Sequence, residues 1–226
     1  MANDALTALT SEVQALSAVL GKLQPADLRR ATNCPPWSLE ELIVHIAASI
    51  RVGATPFPRA ESHDEPGTAA DYYRRPERDT SSYRQDNVDR TVQLTREVVA
   101  DKSAVDWFDD VATHTIAVLS RWDLDQVVVV PGRGAMRLAD WLTTRVISVA
   151  AHGLDVAITL GHEPWTTRSA LKAVRPVFVE LLGRPLPGAL NWDDLALLAT
   201  ATGRRTLTVR EAELLGPYAN RFPLLS

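Results

Sequence analysis

Cysteine is nearly absent. Cys34 stands alone among 226 residues, so no disulfide can close within the chain, and the usage suits a reducing compartment. Long apolar runs are missing too: nowhere do the roughly 18 consecutive apolar residues of a membrane span occur. The run from Asp4 to Lys22 has neither a basic start nor an apolar block, and the chain reads as cytoplasmic, with no membrane partner. Nor is there a surplus of positive charge. Twenty-four Lys and Arg face 28 Asp and Glu, for a formal charge of -4, which gives no general field for nucleic-acid phosphates. What remains is an ordinary globular balance, 46% apolar and 23% charged, which excludes a disordered or fibrous chain. The length allows a four-helix core with a smaller appendage.

Periodicity locates the helices. Leu6, Leu9, Val13, Leu16, Val19, Leu20 and Leu23 recur at three- and four-residue spacing, one buried stripe that Pro25 ends. After Cys34-Pro35-Pro36, Ser38 can cap a second helix with Glu41 at the capping-box position, carrying Leu42, Ile43, Ile46 and Ile50, with His45 near its middle. Residues 55–82 are rich in Pro, Gly, Asp and Arg without a period and read as a long loop. Within it, the aromatic and basic run 72–78 reads as a solvated lid. A third helical stretch follows, with a break near Lys102. Val127–Val130, a Pro-Gly-Arg-Gly turn and Ala135–Leu138 read as a short hairpin. From Asp140 a strong helix runs through His152 to Ile158, and Gly161 lies where a left-handed turn ends helices. Beyond it come a helix from Arg168 to Leu182, a helical stretch from Trp192 to Thr202 and a strand-like 206–209. These patterns predict a mainly α fold: an up-down four-helix bundle over residues 1–164 and a small C-terminal α/β appendage over 165–226.

Two histidines on separate helices, His45 and His152, are the first sharp chemical feature, because neutral imidazole is the commonest protein ligand for zinc. Each is equally a candidate for hydrogen-bonded packing. Residues 34–47, Cys-Pro-Pro-Trp-Ser-Leu-Glu-Glu-Leu-Ile-Val-His-Ile-Ala, and residues 144–157, with Ser148, His152 and Asp155, resemble the two signatures of the DinB-like, mycothiol-dependent maleylpyruvate isomerase family. The endings around 201–205 and 215–224 are similar to those of its longer members. The resemblance implies a DinB-like bundle, a divalent metal, usually zinc, and a low-molecular-weight thiol such as mycothiol. The metal's ligands in that family are a histidine on the second helix and a Glu-x-x-x-His pair on a later one. Here that pair is Ser148 and His152, so the anionic ligand is missing.

A neutral hydroxyl is a poor substitute for a carboxylate on such a cation. Glu41, one turn before His45, and Asp155, three residues after His152, can share a face with their histidines as substitute ligands, or can orient an imidazole or serve as surface charge. Arg204 matches the family's Thr-Gly-Arg ending, implicated in the active site, and could clamp a substrate carboxylate. His114, among Val111, Ile116 and Val118, is a further candidate as a third nitrogen or proton carrier. Cys34 reads as packing. The resemblance thus implies a thiol-dependent isomerase or S-transferase on a small electrophilic, carboxylated substrate. The alternative is a metal-free enzyme or a non-catalytic small-ligand-binding protein on the same bundle. Oligomeric state and substrate identity have no signature.

Overall fold

The computed structural model describes residues 2–55, 57–61, 63–75 and 80–225. Helix α1 (Ala2–Leu20) buries Ala8, Leu9, Val13, Leu16 and Leu20, the stripe its spacing predicts. Helix α2 (Leu39–Arg51) begins at the expected capping box: Ser38 Oγ accepts from the Glu41 amide at 3.4 Å, and Glu41 Oε2 accepts from the Ser38 amide at 2.7 Å. The break near Lys102 separates α4 (Ser81–Val99) from α5 (Ala104–Leu119), which Ser103 caps. The hairpin is present as β1 (Val127–Val130) and β2 (Gly134–Arg137), antiparallel with Val130 opposite Gly134. Helix α6 (Leu138–Leu160) follows and ends at Gly161, whose φ of 70° is the left-handed cap expected there.

Helices α1, α2, α5 and α6 pack in a ring, α1 on α5 and α6, and α2 likewise. This is the expected helical bundle. Helix α4 lies along α2 and α5. Close approach is built in at one point: a Cβ on Gly53 would lie 2.8 Å from the Trp141 ring, so only glycine lets the end of α2 meet α6. Beyond the bundle, α7 (Arg168–Leu182) packs on α1 and α6, and α8 (Asp194–Ala201) on α7. The apolar core runs without interruption from Ala5 to Ala201.

Two expectations need correction. The loop region contains a short helix, α3 (Ala69–Tyr73), capped by Thr68 and Asp71, and is tied to the hairpin through Arg59 opposite Val128 and Gly67 opposite Met136. Tyr72 and Tyr73 are not a solvated lid: both are half-buried and Tyr73 donates to the Thr144 carbonyl at 3.1 Å. Residues 76–79 of that run lie outside the described residues. The strand-like stretch 206–209 forms no strand: residues 206–208 are extended chain leading into α9 (Val209–Leu215), where Thr208 and Glu211 form a capping box; β-branched residues favour a strand only where one is available to pair with. The C-terminal portion is therefore built of helices and extended chain.

Candidate functional site

Helix α2 presents His45 and Ser49, and α6 presents Ser148 and His152. Each pair is four residues apart and so shares one helical face. Packing α2 against α6 brings the two faces together. The His45 and His152 rings stand edge to face with centroids 5.0 Å apart, Trp37 lies 4.4 Å from His45 on its other side, and Ser148 Oγ donates to Ser49 Oγ at 3.3 Å. All five residues line a cavity of about 590 Å³ that also takes in Tyr72, Arg90, Thr91, Arg145, Arg204 and Leu225. Trp37 Nε1 is buried without a hydrogen-bond partner among the described residues.

Behind His152 sits an acid that sequence reasoning placed only loosely. Asp155 is fully buried, and its carboxylate accepts from five donors. Oδ1 takes Asn33 Nδ2 at 2.8 Å and Arg204 Nε at 2.9 Å; Oδ2 takes His152 Nδ1 at 2.9 Å, Arg204 Nη2 at 2.5 Å and Cys34 Sγ at 3.1 Å. Burial alone would raise the Asp155 pKa, but the hydrogen bonds from His152 and Arg204 and their charges outweigh it and hold the group well below the usual carboxylate range. An ionised Asp155 fixes the tautomer of its neighbour. His152 must carry its proton on Nδ1, which leaves Nε2 as an acceptor. The same acid acts on Cys34: burial first, then the Asp155 charge and hydrogen bond, push the thiol up to about 12. Cys34 is thus a protonated donor and not a nucleophile.

Arg204 reaches the site because α8 ends in a left-handed turn at Gly203, φ 77°, after which the Arg204 amide bonds the Ala199 carbonyl at 2.7 Å. The fork expected to clamp a ligand carboxylate is taken up by Asp155, and Nη1 donates to the Thr202 carbonyl at 2.5 Å. Glu41 is committed to capping α2. His114 is not brought to the cavity: it lies on the exposed side of α5, off the buried stripe of Phe108, Val111, Ala112 and Thr115. Burial, reinforced by His152, Arg145 and Arg90, lowers the His45 pKa well below the ordinary imidazole value, so its ring is neutral near pH 7. The Thr91 hydroxyl stands 3.4 Å from its Nδ1.

Sequence reasoning missed three participants. Ser49 carried a signal, four residues from His45 as Ser148 is from His152. Arg145 and Arg90 carried none, since an arginine on a helix is ordinarily solvent-facing. A larger cleft of about 960 Å³ between α1, α6 and α7 is lined by Asp4, Asp140, Lys172 and Glu180 and has no histidine or cysteine among its described residues; it offers no comparable chemistry.

The donor set at His45 and His152 is two imidazoles and two hydroxyls. The cavity's described lining contains no Asp or Glu and three arginines. Zinc in catalytic sites takes three protein ligands, of which an anion or a third nitrogen completes the set. Cys34, His152 and Asp155 do have donor atoms within 4.8 Å of one another, close enough to hold an ion. There, however, both Asp155 oxygens already accept from Arg204, which sets a guanidinium charge against the same carboxylate. The residues present do not fit a resident zinc ion between the two histidines.

No membrane-spanning helix occurs among the described residues. Comparison with curated proteins and with solved structures gave no match. One family model does match, that of the mycothiol maleylpyruvate isomerase N-terminal domain, over residues 9–157. That span includes both histidine helices and well over half of the chain. With its helical bundle, paired histidines and covered span, the chain belongs to the mycothiol maleylpyruvate isomerase N-terminal domain family.

Proposed function

We propose that this protein is a thiol-dependent isomerase or S-transferase that acts on a small, carboxylated electrophile in the cavity between α2 and α6. Family membership supports the thiol. The observation that carries the proposal is the His152–Asp155 pair: a buried carboxylate holds the imidazole through Nδ1 at 2.9 Å and leaves Nε2 to accept a proton in the cavity. A low-molecular-weight thiol, when bound, supplies a sulfur nucleophile whose addition to an activated double bond allows rotation before elimination.

The chain's own residues account for the remainder. His152 accepts the thiol proton at Nε2 and returns it, Asp155 stabilising the imidazolium that forms in between. His45, neutral and stacked on Trp37, forms the facing wall. Arg204 keeps Asp155 ionised and so acts through it. The arginines Arg145 and Arg90 favour anions in the cavity, both an acidic substrate and a sulfur losing its proton. Such chemistry belongs to a reducing cytoplasm.

The test is turnover of maleylpyruvate with and without mycothiol, before and after treatment with a chelator. Thiol-dependent, chelator-insensitive isomerisation, abolished in His152→Ala, is the expected result. A small-ligand-binding protein on the same bundle would instead bind the compound without converting it, and turnover independent of thiol would refute the proposal.

A further inference from the structure

Arg145 is 9% exposed, yet it has no acidic partner among the described residues. Its four hydrogen bonds go to neutral oxygens: Nε and Nη2 to Thr144 Oγ1 at 3.1 and 3.0 Å, Nη2 to the Tyr72 hydroxyl at 2.8 Å, and Nη1 to the Ser49 carbonyl at 3.2 Å. A guanidinium has five N–H groups, so one Nη1 hydrogen remains uncommitted. Burying a cation without a counter-charge is costly, and folded chains seldom retain one without a use for it. The other two cavity arginines differ. Arg204 is neutralised by Asp155; Arg90 is exposed, and the hydrogen bond it donates to Asp86 is to a backbone carbonyl.

Ser148 is the neighbour that bears on this charge. It lies three residues along α6, on the same side of the helix, at the position where the family resemblance places a glutamate. A glutamate there would set a negative charge between Arg145 and His152. With serine, the cavity holds two imidazoles, exposed Arg90, Arg145 set only against neutral oxygens and the faces of Tyr72 and Trp141, 5.2 and 5.4 Å away, and no acid in its described lining. The Ser49 carbonyl faces Arg145 while the Ser49 hydroxyl faces Ser148, which places the free guanidinium edge and the two hydroxyls in one corner.

We propose that the serine has inverted the charge preference of this site, so that the place between the histidine helices receives the carboxylate of a small organic acid in place of a metal ion. Arg145 is its buried counter-ion. The Ser148 hydroxyl turns to donate to it, the Ser49 hydroxyl stays on the Ile46 carbonyl at 2.7 Å, and Arg90 draws the acid in from solvent. This rests on the cavity being the ligand site proposed above but not on thiol chemistry, so it can be tested with no thiol present.

Isothermal titration of the full chain with maleate, and separately with its neutral diamide, measures anion preference directly; zinc titration measures the reverse. Wild type binds maleate saturably and the diamide at least tenfold more weakly. Arg145→Met weakens maleate at least tenfold and Arg145→Lys by less, since charge remains but the planar fork does not. Ser148→Glu weakens maleate at least tenfold and raises zinc affinity at least tenfold. Ser148 is half-buried and Arg145 buried, so circular dichroism on each variant identifies any that fail to fold, and the Ser148→Glu arm then decides. The proposal is overturned if folded wild type shows no saturable maleate binding, if the diamide binds equally, or if Ser148→Glu leaves both affinities unchanged. Failure of thiol-dependent turnover alongside intact maleate binding would sink the enzymatic reading and leave this one standing.

Discussion

Asp155→Asn is the perturbation that most sharply probes how the site is held. The native carboxylate is fully buried and gathers Asn33, Cys34, His152 and both forks of Arg204. The amide removes the charge and turns an acceptor into a donor toward at least one of those donors, leaving Arg204 without its counter-charge. Breaking a buried ion pair from one side costs about 3–5 kcal/mol. Arg204 keeps 18% of its side chain exposed, so water offsets part of this and the lower figure applies. For a chain of this size about 3 kcal/mol corresponds to a melting temperature lower by roughly 6–12 °C. Adding Arg204→Met to Asp155→Asn removes the stranded cation, so the double variant is more stable than the sum of the single losses predicts. The pH dependence has a definite sign. A carboxylate held below its unfolded value of about 3.9 contributes stability above that pH and loses it as pH falls through the folded value. Differential scanning calorimetry from pH 3 to 7 therefore shows a gap between wild type and Asp155→Asn that narrows toward acid. A variant melting within 2 °C of wild type at pH 7, or single losses that add, would refute the idea that Asp155 is a charged hub.

Two other groups carry separate expectations. With its thiol pushed up to about 12, native Cys34 reacts with iodoacetamide at pH 8 at least tenfold more slowly than the same chain in guanidinium; equal rates would show that its proton is not held. Glu12 is buried on α1, its Oε2 accepting from the Thr167 amide at 2.8 Å while Oε1 has no partner among the described residues. Burial raises its pKa, although the Thr167 bonds oppose the rise. The stability tied to its protonated form is present below the unfolded value and is lost as pH rises through the folded one. Glu12→Gln therefore melts at or above wild type at pH 7, with the gain disappearing near pH 4; a gain that grows toward acid would contradict the assignment.

Much of the fold was legible because its signals are local. The α1 stripe, the Ser38–Glu41 box, the hairpin turn and the Gly161 stop each depend on residues within a few positions of one another. The 206–209 stretch misled because β-branched residues signal a strand but Thr208 is also a good cap, and the capping interaction with Glu211 won. The histidine pair was legible through resemblance, and the missing glutamate through the Ser148 position. What surrounds the histidines was not. Asp155 joins Asn33, Cys34 and Arg204 across separations of up to 122 residues, and no short-range pattern encodes such a meeting. His114 was misplaced because its apolar neighbours Val111, Ile116 and Val118 do not by themselves say which side of α5 is buried. Arg145 carries no local signal of its role, because it lies in a helix buried on nearly every side.

Uptake of a thiol through His152 in the cavity between α2 and α6 is the central expectation. Calorimetric titration of mycothiol into the wild-type protein and into His152→Ala, both shown to be folded, decides it. Saturable binding by wild type, with no net proton exchanged with the buffer because the thiol proton passes to His152, and affinity at least tenfold weaker in the variant, is the predicted result. Equal affinity in the two proteins, or no binding to either, would contradict it.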